Sequence, residues 1–201
     1  MKATDVEHFS GGEEEPGRVD KLKIDLPSAI RLKSIEKNQT LSRMLADGEL
    51  DALVTARAPS TFTTRPGDVK RLFPDYVEVE KAYYRRTKIF PIMHTVVIRR
   101  DVYQANPWVA QSLYKAFAAA KAKALALYGQ TAAMPAMLPW LTAHLEEARR
   151  EMGDDWWSYG LAENRHVLET FLRYHHEQGL SPRRLAPEEL FAKETLESFK
   201  I

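Results

Sequence analysis

The stretch TLSRMLADGELDALVTARAPS, residues 40–60, decides the fold class. Thr40 carries the side-chain acceptor that an N-cap needs, Leu41, Met44 and Leu45 share one helical face, and Gly48 stands where a short helix should stop. Ala52-Leu53-Val54 then reads as a buried strand. Beyond it, residues 57–68 hold Pro59, Pro66, Gly67 and several hydroxyl side chains, a loop by composition. Helix, strand and loop in so short a span favour an α/β layer arrangement over a helical bundle.

The flanks extend the pattern. Val6-Glu7-His8-Phe9 alternates apolar and polar before the Gly11-Gly12 turn, and residues 30–35 read as a second strand after the Pro27 turn. A helix is expected over 77–86, and then a central strand over 92–99, rich in β-branched residues and opening at Phe90-Pro91. Near residue 105 the composition turns helical. Asn106-Pro107 supplies an N-cap and a first-turn proline, and Val109, Leu113, Ala116, Phe117, Ala120, Ala124 and Leu127 recur at a spacing that would bury one stripe. Further helices are expected over about 140–152, with a Glu146–Arg150 surface pair, and over about 162–178. Gly153 and Gly179 would end them, and Pro187 would open a last short one. No internal repeat or low-complexity tract interrupts this order.

Composition narrows the function classes. The chain has 201 residues, and its 29 Lys and Arg nearly cancel its 28 Asp and Glu. No net field draws in nucleic acid or a membrane surface, so neither is an expected partner. The absence of cysteine excludes disulfides, thiolate metal sites and thiol nucleophiles, and suits a reducing cytoplasm. Residues 1–6 carry charge and lack the apolar core of a secretory signal. The most apolar windows, 116–128 and 131–143, are broken by Lys121, Lys123, Pro135 and Pro139, well short of the roughly 20 apolar residues of a membrane span. A soluble, cytoplasmic protein is expected.

Three places have residue types that could carry chemistry. In residues 10–18, Gly11 and Gly12 could let backbone amides approach an anion, Glu14 offers a carboxylate and Arg18 a bidentate fork; the same stretch also reads as a solvated turn, and its glycine spacing fits no dinucleotide or phosphate-loop pattern. Arg57 leaves a strand into a polar loop, where it could clamp a substrate carboxylate with Ser60 or Thr61 adding a hydroxyl, or could cap the carbonyls of a neighbouring helix. His94, at the start of an apolar strand, has a ring able to exchange a proton near neutral pH, though a hydrogen-bonded structural histidine fits that position too. His175-His176 reads as a solvated helix face, and His94, His144 and His166 lack metal-ligand spacing, so no histidine-based metal site is expected, while the carboxylates of residues 13–15 leave a role for a divalent metal open. Trp156-Trp157 and Tyr83-Tyr84 could stack on an aromatic ring or simply pack. No serine-hydrolase motif is present.

Read together, these blocks resemble the 4,5-dihydroxyphthalate decarboxylases. The resemblance rests on Gly11-Gly12 with Glu14-Glu15-Pro16-Gly17-Arg18, on Asp51-Ala52-Leu53 with Ala56-Arg57-Ala58-Pro59, on Ile89-Phe90-Pro91-Ile92-Met93-His94, on Pro107-Trp108-Val109-Ala110, on Leu138-Pro139-Trp140 and on Pro187-Glu188-Glu189-Leu190-Phe191. It spans essentially the whole chain. Two departures are Lys88, where the family tends to have glycine, and Trp156-Trp157-Ser158, where Phe-Trp-Pro is more usual. The resemblance implies a type 2 periplasmic-binding-protein-like α/β lobe with a helical C-terminal part. Residues 1–95 would form the second lobe, and residues 96–201 a returning strand and helices that complete a first lobe whose opening segment precedes this chain.

It also implies loss of one carboxylate from 4,5-dihydroxyphthalate, giving 3,4-dihydroxybenzoate and carbon dioxide, with no organic cofactor. The chemistry asks for a proton donor, polar groups at the catechol oxygens and a cation for the remaining carboxylate. His94 is expected to supply the proton, Arg57 with Ser60 to hold the carboxylate, and Glu14 or Arg18, beside Gly11 and Gly12, to meet the hydroxyls. A non-catalytic binder of a small aromatic acid would use the same Arg57 and glycine loop, and self-association into a homo-oligomer is compatible with either reading.

Overall fold

The computed structural model describes residues 2–18 and 26–196, in two compact units: Met1–Tyr76 with Gln178–Leu180, and Val77–Glu177 with Ser181–Ile201. No helix among the described residues is long and apolar enough to cross a membrane.

In the first unit, β1 (His8–Ser10) and β2 (Leu32–Ser34) form a parallel pair, His8 opposite Leu32 and Ser10 opposite Ser34. Both expected strands are therefore present, each shortened. Helix α1 (Leu41–Ala46) begins where its cap requires. The Thr40 hydroxyl accepts from the Arg43 N–H, and the carbonyls of Gly12 and Glu13 accept from the N–H groups of Leu41 and Ser42. The helix's first donors are thus taken by the loop that leaves β1. Met44 and Ala46 face inward, and Gly48 follows with φ +79°.

Two expectations fail in this unit. Residues 57–68 are not all loop, because Ser60–Thr64 forms a short helix, α2. The Ser42 hydroxyl, 1% exposed, lies 3.0 Å from the Thr61 hydroxyl and joins α1 to α2. Ala52-Leu53-Val54, expected as a buried strand, forms no strand and has no ladder partner among the described residues, and Val54 is 99% exposed. A strand needs a neighbour to take its backbone groups, and no described segment provides one there.

The second unit is helical. Helix α3 (Tyr76–Thr87) ends at Lys88, which adopts φ +55° with its ammonium 5.2 Å from the Tyr84 ring centre. This left-handed position is where glycine is cost-free, and it is the departure noted in the sequence. Helices α4 (Arg100–Ala105) and α5 (Trp108–Tyr128) follow, then α6 (Leu141–Met152) and α7 (Leu161–Glu177). Lys81 reaches Glu147 at 2.5 Å, and Arg85 holds Glu151 with two hydrogen bonds, tying α3 to α6. Leu161, Leu168 and Leu172 bury one stripe of α7, and Gly153 and Gly179, at φ +90° and +75°, end α6 and α7 as expected. The expected last short helix is a 3-10 turn, Pro187–Glu189, and a second 3-10 turn, Lys193–Thr195, follows it.

Three corrections belong here. Residues 92–99 form no strand; Met93, Val96 and Val97 are 69%, 65% and 87% exposed. Val109 and Leu113 of the expected α5 stripe are half-buried, but beyond them the covered line runs through Tyr114, Ala118, Lys121 and Leu125, leaving Ala116, Phe117, Ala120, Ala124 and Leu127 exposed. Polar anchoring sets that rotation, since Lys121 donates to Asp155 and the Trp157 carbonyl and lies over the Tyr159 ring. Arg150 pairs with Glu147 at 3.9 Å rather than with Glu146.

Candidate functional site

The loop leaving β1 does most of the positioning in the first unit. A Cβ on Gly12 would lie 1.9 Å from the Glu15 carbonyl oxygen, and one on Gly11 would lie 2.3 Å from Ile35 Cγ1. Protein packs against these glycines, so their lack of a side chain is required before any ligand is considered. The turn they permit sends Glu13 and Glu14 to different partners.

Glu14 caps α2. Its carboxylate accepts from the Ser60 N–H at 2.6 Å and from the Ser60 hydroxyl at 2.8 Å. The Ser60 N–H holds the Glu14 carboxyl below the usual carboxylate range; desolvation opposes this, and the Ser60 and Ser42 hydroxyls reinforce it. Glu13 instead accepts from the Thr55 hydroxyl at 2.5 Å, and Thr55 Oγ1 accepts from the Arg57 N–H at 3.3 Å. A cavity of about 260 Å³ opens at this point. Phe9, Leu41, Leu53 and Val54 form its apolar wall, and Ser10, Gly11, Glu13 and Thr55 its polar one. It lies at the carboxyl end of β1, where open parallel sheets place ligands, and its size suits a single-ring molecule rather than the roughly 300–1,000 Å³ of larger sites.

Two cations belong to the same neighbourhood. Arg57 is held by its backbone to Thr55, which lines the cavity, and the Arg18 side chain begins over Gly12, its Cβ 3.1 Å from where a Gly12 Cβ would stand. Neither guanidinium has an ion-pair or hydrogen-bond partner among the described residues, unlike Arg65, which pairs with Asp47 and Asp68.

The expected residues Gly11, Gly12, Glu14, Arg18, Arg57 and Ser60 therefore gather in one unit, although Glu14 and Ser60 are spent on each other. The cavity wall also holds Glu13 and Thr55, which were not among the expected substrate-binding residues. Their sequence signal was adjacency: Glu13 neighbours the chosen carboxylate in a turn where successive side chains diverge, and Thr55 closes the apolar 52–54 run. His94 lies in the second unit, exposed, within residues 90–98. Of the other histidines, His166 Nε2 meets the Thr87 carbonyl at 2.9 Å and His176 Nδ1 the Ser181 carbonyl at 3.1 Å, while His175 packs on Phe171. Phe90 meets Trp157 at 5.9 Å between ring centres, and Arg149 lies over Trp156.

No protein-family model matches the chain. It is 44% identical over all 201 residues to the 4,5-dihydroxyphthalate decarboxylase of Comamonas testosteroni and spans 61% of that protein's length. It is 41% identical over 85 residues to a protein of the same name from Pseudomonas putida, a match covering 42% of this chain and 33% of that relative.

Proposed function

We propose, from kinship with the 4,5-dihydroxyphthalate decarboxylases along the whole chain, that this protein takes part in decarboxylation of a dihydroxylated aromatic acid. The 44% identity over all 201 residues carries this reading. The substrate proposed is 4,5-dihydroxyphthalate and the products are 3,4-dihydroxybenzoate and carbon dioxide, a step in phthalate degradation. The fold proposed with it is type 2 periplasmic-binding-protein-like. The parallel β1–β2 pair, with a cavity at its carboxyl end, supports an α/β lobe of that kind. A cytoplasmic location is proposed from the cysteine-free composition.

The reaction breaks the bond between a ring carbon and a carboxylate. Its electron pair stays on the ring carbon, which takes a proton, while the carboxyl carbon leaves as carbon dioxide. A para hydroxyl assists by releasing electron density into the ring. Arg57 and Arg18, neither with an ion-pair partner among the described residues, suit the carboxylate that remains. Glu13, lining the cavity, suits a catechol hydroxyl as acceptor, whereas Glu14 could do so only by releasing Ser60. His94 is assigned the proton, on the chemistry of its ring.

Chromatography of products after mixing 4,5-dihydroxyphthalate with the protein, and separately with His94→Ala and Arg57→Ala, tests this. The expected result is 3,4-dihydroxybenzoate from the unaltered protein, none from His94→Ala, and a KM raised at least tenfold in Arg57→Ala. Saturable binding without product would reassign the protein as a binder of aromatic acids.

A further inference from the structure

Glu13 and Glu14 are adjacent in sequence, yet they hold the two ends of one later segment. The Thr55 hydroxyl donates to Glu13 at 2.5 Å, and the Ser60 N–H and hydroxyl donate to Glu14 at 2.6 and 2.8 Å. Between those ends run Ala56, Arg57, Ala58 and Pro59. This short span is stiff as well as pinned. Pro59 fixes its own backbone at φ −63°, its ring restricts Ala58 to extended conformations, and the Arg57 N–H returns to the Thr55 hydroxyl at 3.3 Å.

The anchor is fixed in its turn. Gly12 leaves no room for a Cβ against the Glu15 carbonyl, and the carbonyls of Gly12 and Glu13 accept from the N–H groups of Leu41 and Ser42 at the start of α1. The far end is held a second time, because the Ser42 hydroxyl lies 3.0 Å from the Thr61 hydroxyl, which also donates to the Ser42 carbonyl at 3.2 Å. Glu13 and Thr55 line the cavity, whereas Glu14 and Ser60 do not. A carboxylate outside the cavity wall, committed by two charge-assisted hydrogen bonds to the residue that opens α2, has no direct contact to offer a ligand there. What it governs is the span between the pins.

We propose that Glu14 is a positioning residue for Arg57: together with the Glu13–Thr55 hydrogen bond it clamps residues 55–60, so that the Arg57 guanidinium meets a substrate carboxylate from a backbone held in one conformation. The clamp stands on this geometry, and its consequence for substrate rests on the proposed decarboxylation. Glu14→Ala leaves Arg57 in place and removes the far pin. Glu14→Gln keeps both contacts, since its amide oxygen accepts from the Ser60 N–H and its amide nitrogen donates to the Ser60 hydroxyl.

Limited trypsin digestion of the full chain reads the clamp without any ligand, because cleavage after Arg57 requires the 55–60 span to open. Glu14→Ala should be cut there about tenfold faster than the unaltered protein, the factor that one hydrogen bond to a charged group supplies. Glu14→Gln should be cut at the unaltered rate, and cleavage at other sites should not change. Equal rates at Arg57, or an acceleration shared by every site, would overturn the proposal. If Glu14→Ala does not fold, Ser60→Ala, which loses the hydroxyl and keeps the N–H, should give about a threefold acceleration, and its absence would count against the clamp. Steady-state assay on 4,5-dihydroxyphthalate then reads the positioning. Glu14→Ala should raise KM about three- to tenfold with kcat within about twofold, Glu14→Gln should restore KM, and Glu14→Ala should add nothing in an Arg57→Ala background. A rise of the same size in that background would overturn the positioning role, since Glu14 would then act independently of Arg57. If the acid binds without turnover, Kd from calorimetry replaces KM for the same variants and the same criteria. Absence of both turnover and binding would sink the decarboxylase reading, and the trypsin rates would still decide the clamp.

Discussion

Residues 8–10 and 90–98 both read as strands, yet only one of them is a strand. His8–Ser10 has residues 32–34 beside it to take its backbone groups, and the carbonyls of the loop that follows it are taken by α1. Residues 90–98 have the stronger β-branched composition and no ladder. Strand preference is therefore a statement about surroundings, fulfilled only where another segment completes the pairing. The same contrast separates the buried stripe of α7 from the exposed 93–97 run.

If completed surroundings decide what a side chain contributes, Leu172→Ala, at a site 3% exposed, should cost about 2–5 kcal/mol of stability, while Val97→Ala should stay within about 0.5 kcal/mol. Urea titration of both variants checks this, and equal losses would break the comparison. Gly12→Ala tests the finished end of the first pair. The added methyl meets the Glu15 carbonyl, and a loss of about 1–3 kcal/mol is expected by the same titration. Lys88→Gly, just before the unpaired run, should instead gain about 1 kcal/mol by removing the cost of a left-handed lysine; no gain would mean that the Tyr84 contact offsets that cost.

The smallest effect is in acid. The folded Glu14 carboxyl titrates below its ordinary value of 4.5, so its contribution is complete above that pH and is lost as pH falls through the lowered value. Glu189, paired with Arg183, is lowered further, to about 2, and should lose its contribution between pH 4.5 and about 2. Carboxyl chemical shifts followed by NMR between pH 6 and 2 would show both.

Most helices were legible because periodicity and caps are local: Thr40, Gly48, Gly153 and Gly179 mark their ends as expected. The 52–54 and 92–99 segments were misread because a strand depends on a partner distant in sequence. The face of α5 was legible at Val109 and Leu113 and misread beyond them, where Lys121 is an interior anchor. Gly11, Gly12, Arg18 and Arg57, chosen as residue types placed after strand-like runs, do fall in one unit around the loop that leaves β1. The mutual capping of Glu14 and Ser60, 46 residues apart, was not legible, and it leaves Glu13 beside the cavity.

The most direct test of the account is the reaction run in D2O, with 4,5-dihydroxyphthalate labelled with carbon-13 in its carboxyl groups and the products followed by NMR. The account predicts labelled carbon dioxide and 3,4-dihydroxybenzoate carrying one deuterium at the carbon that lost its carboxylate. Substrate recovered unchanged from a protein that binds it would contradict decarboxylation.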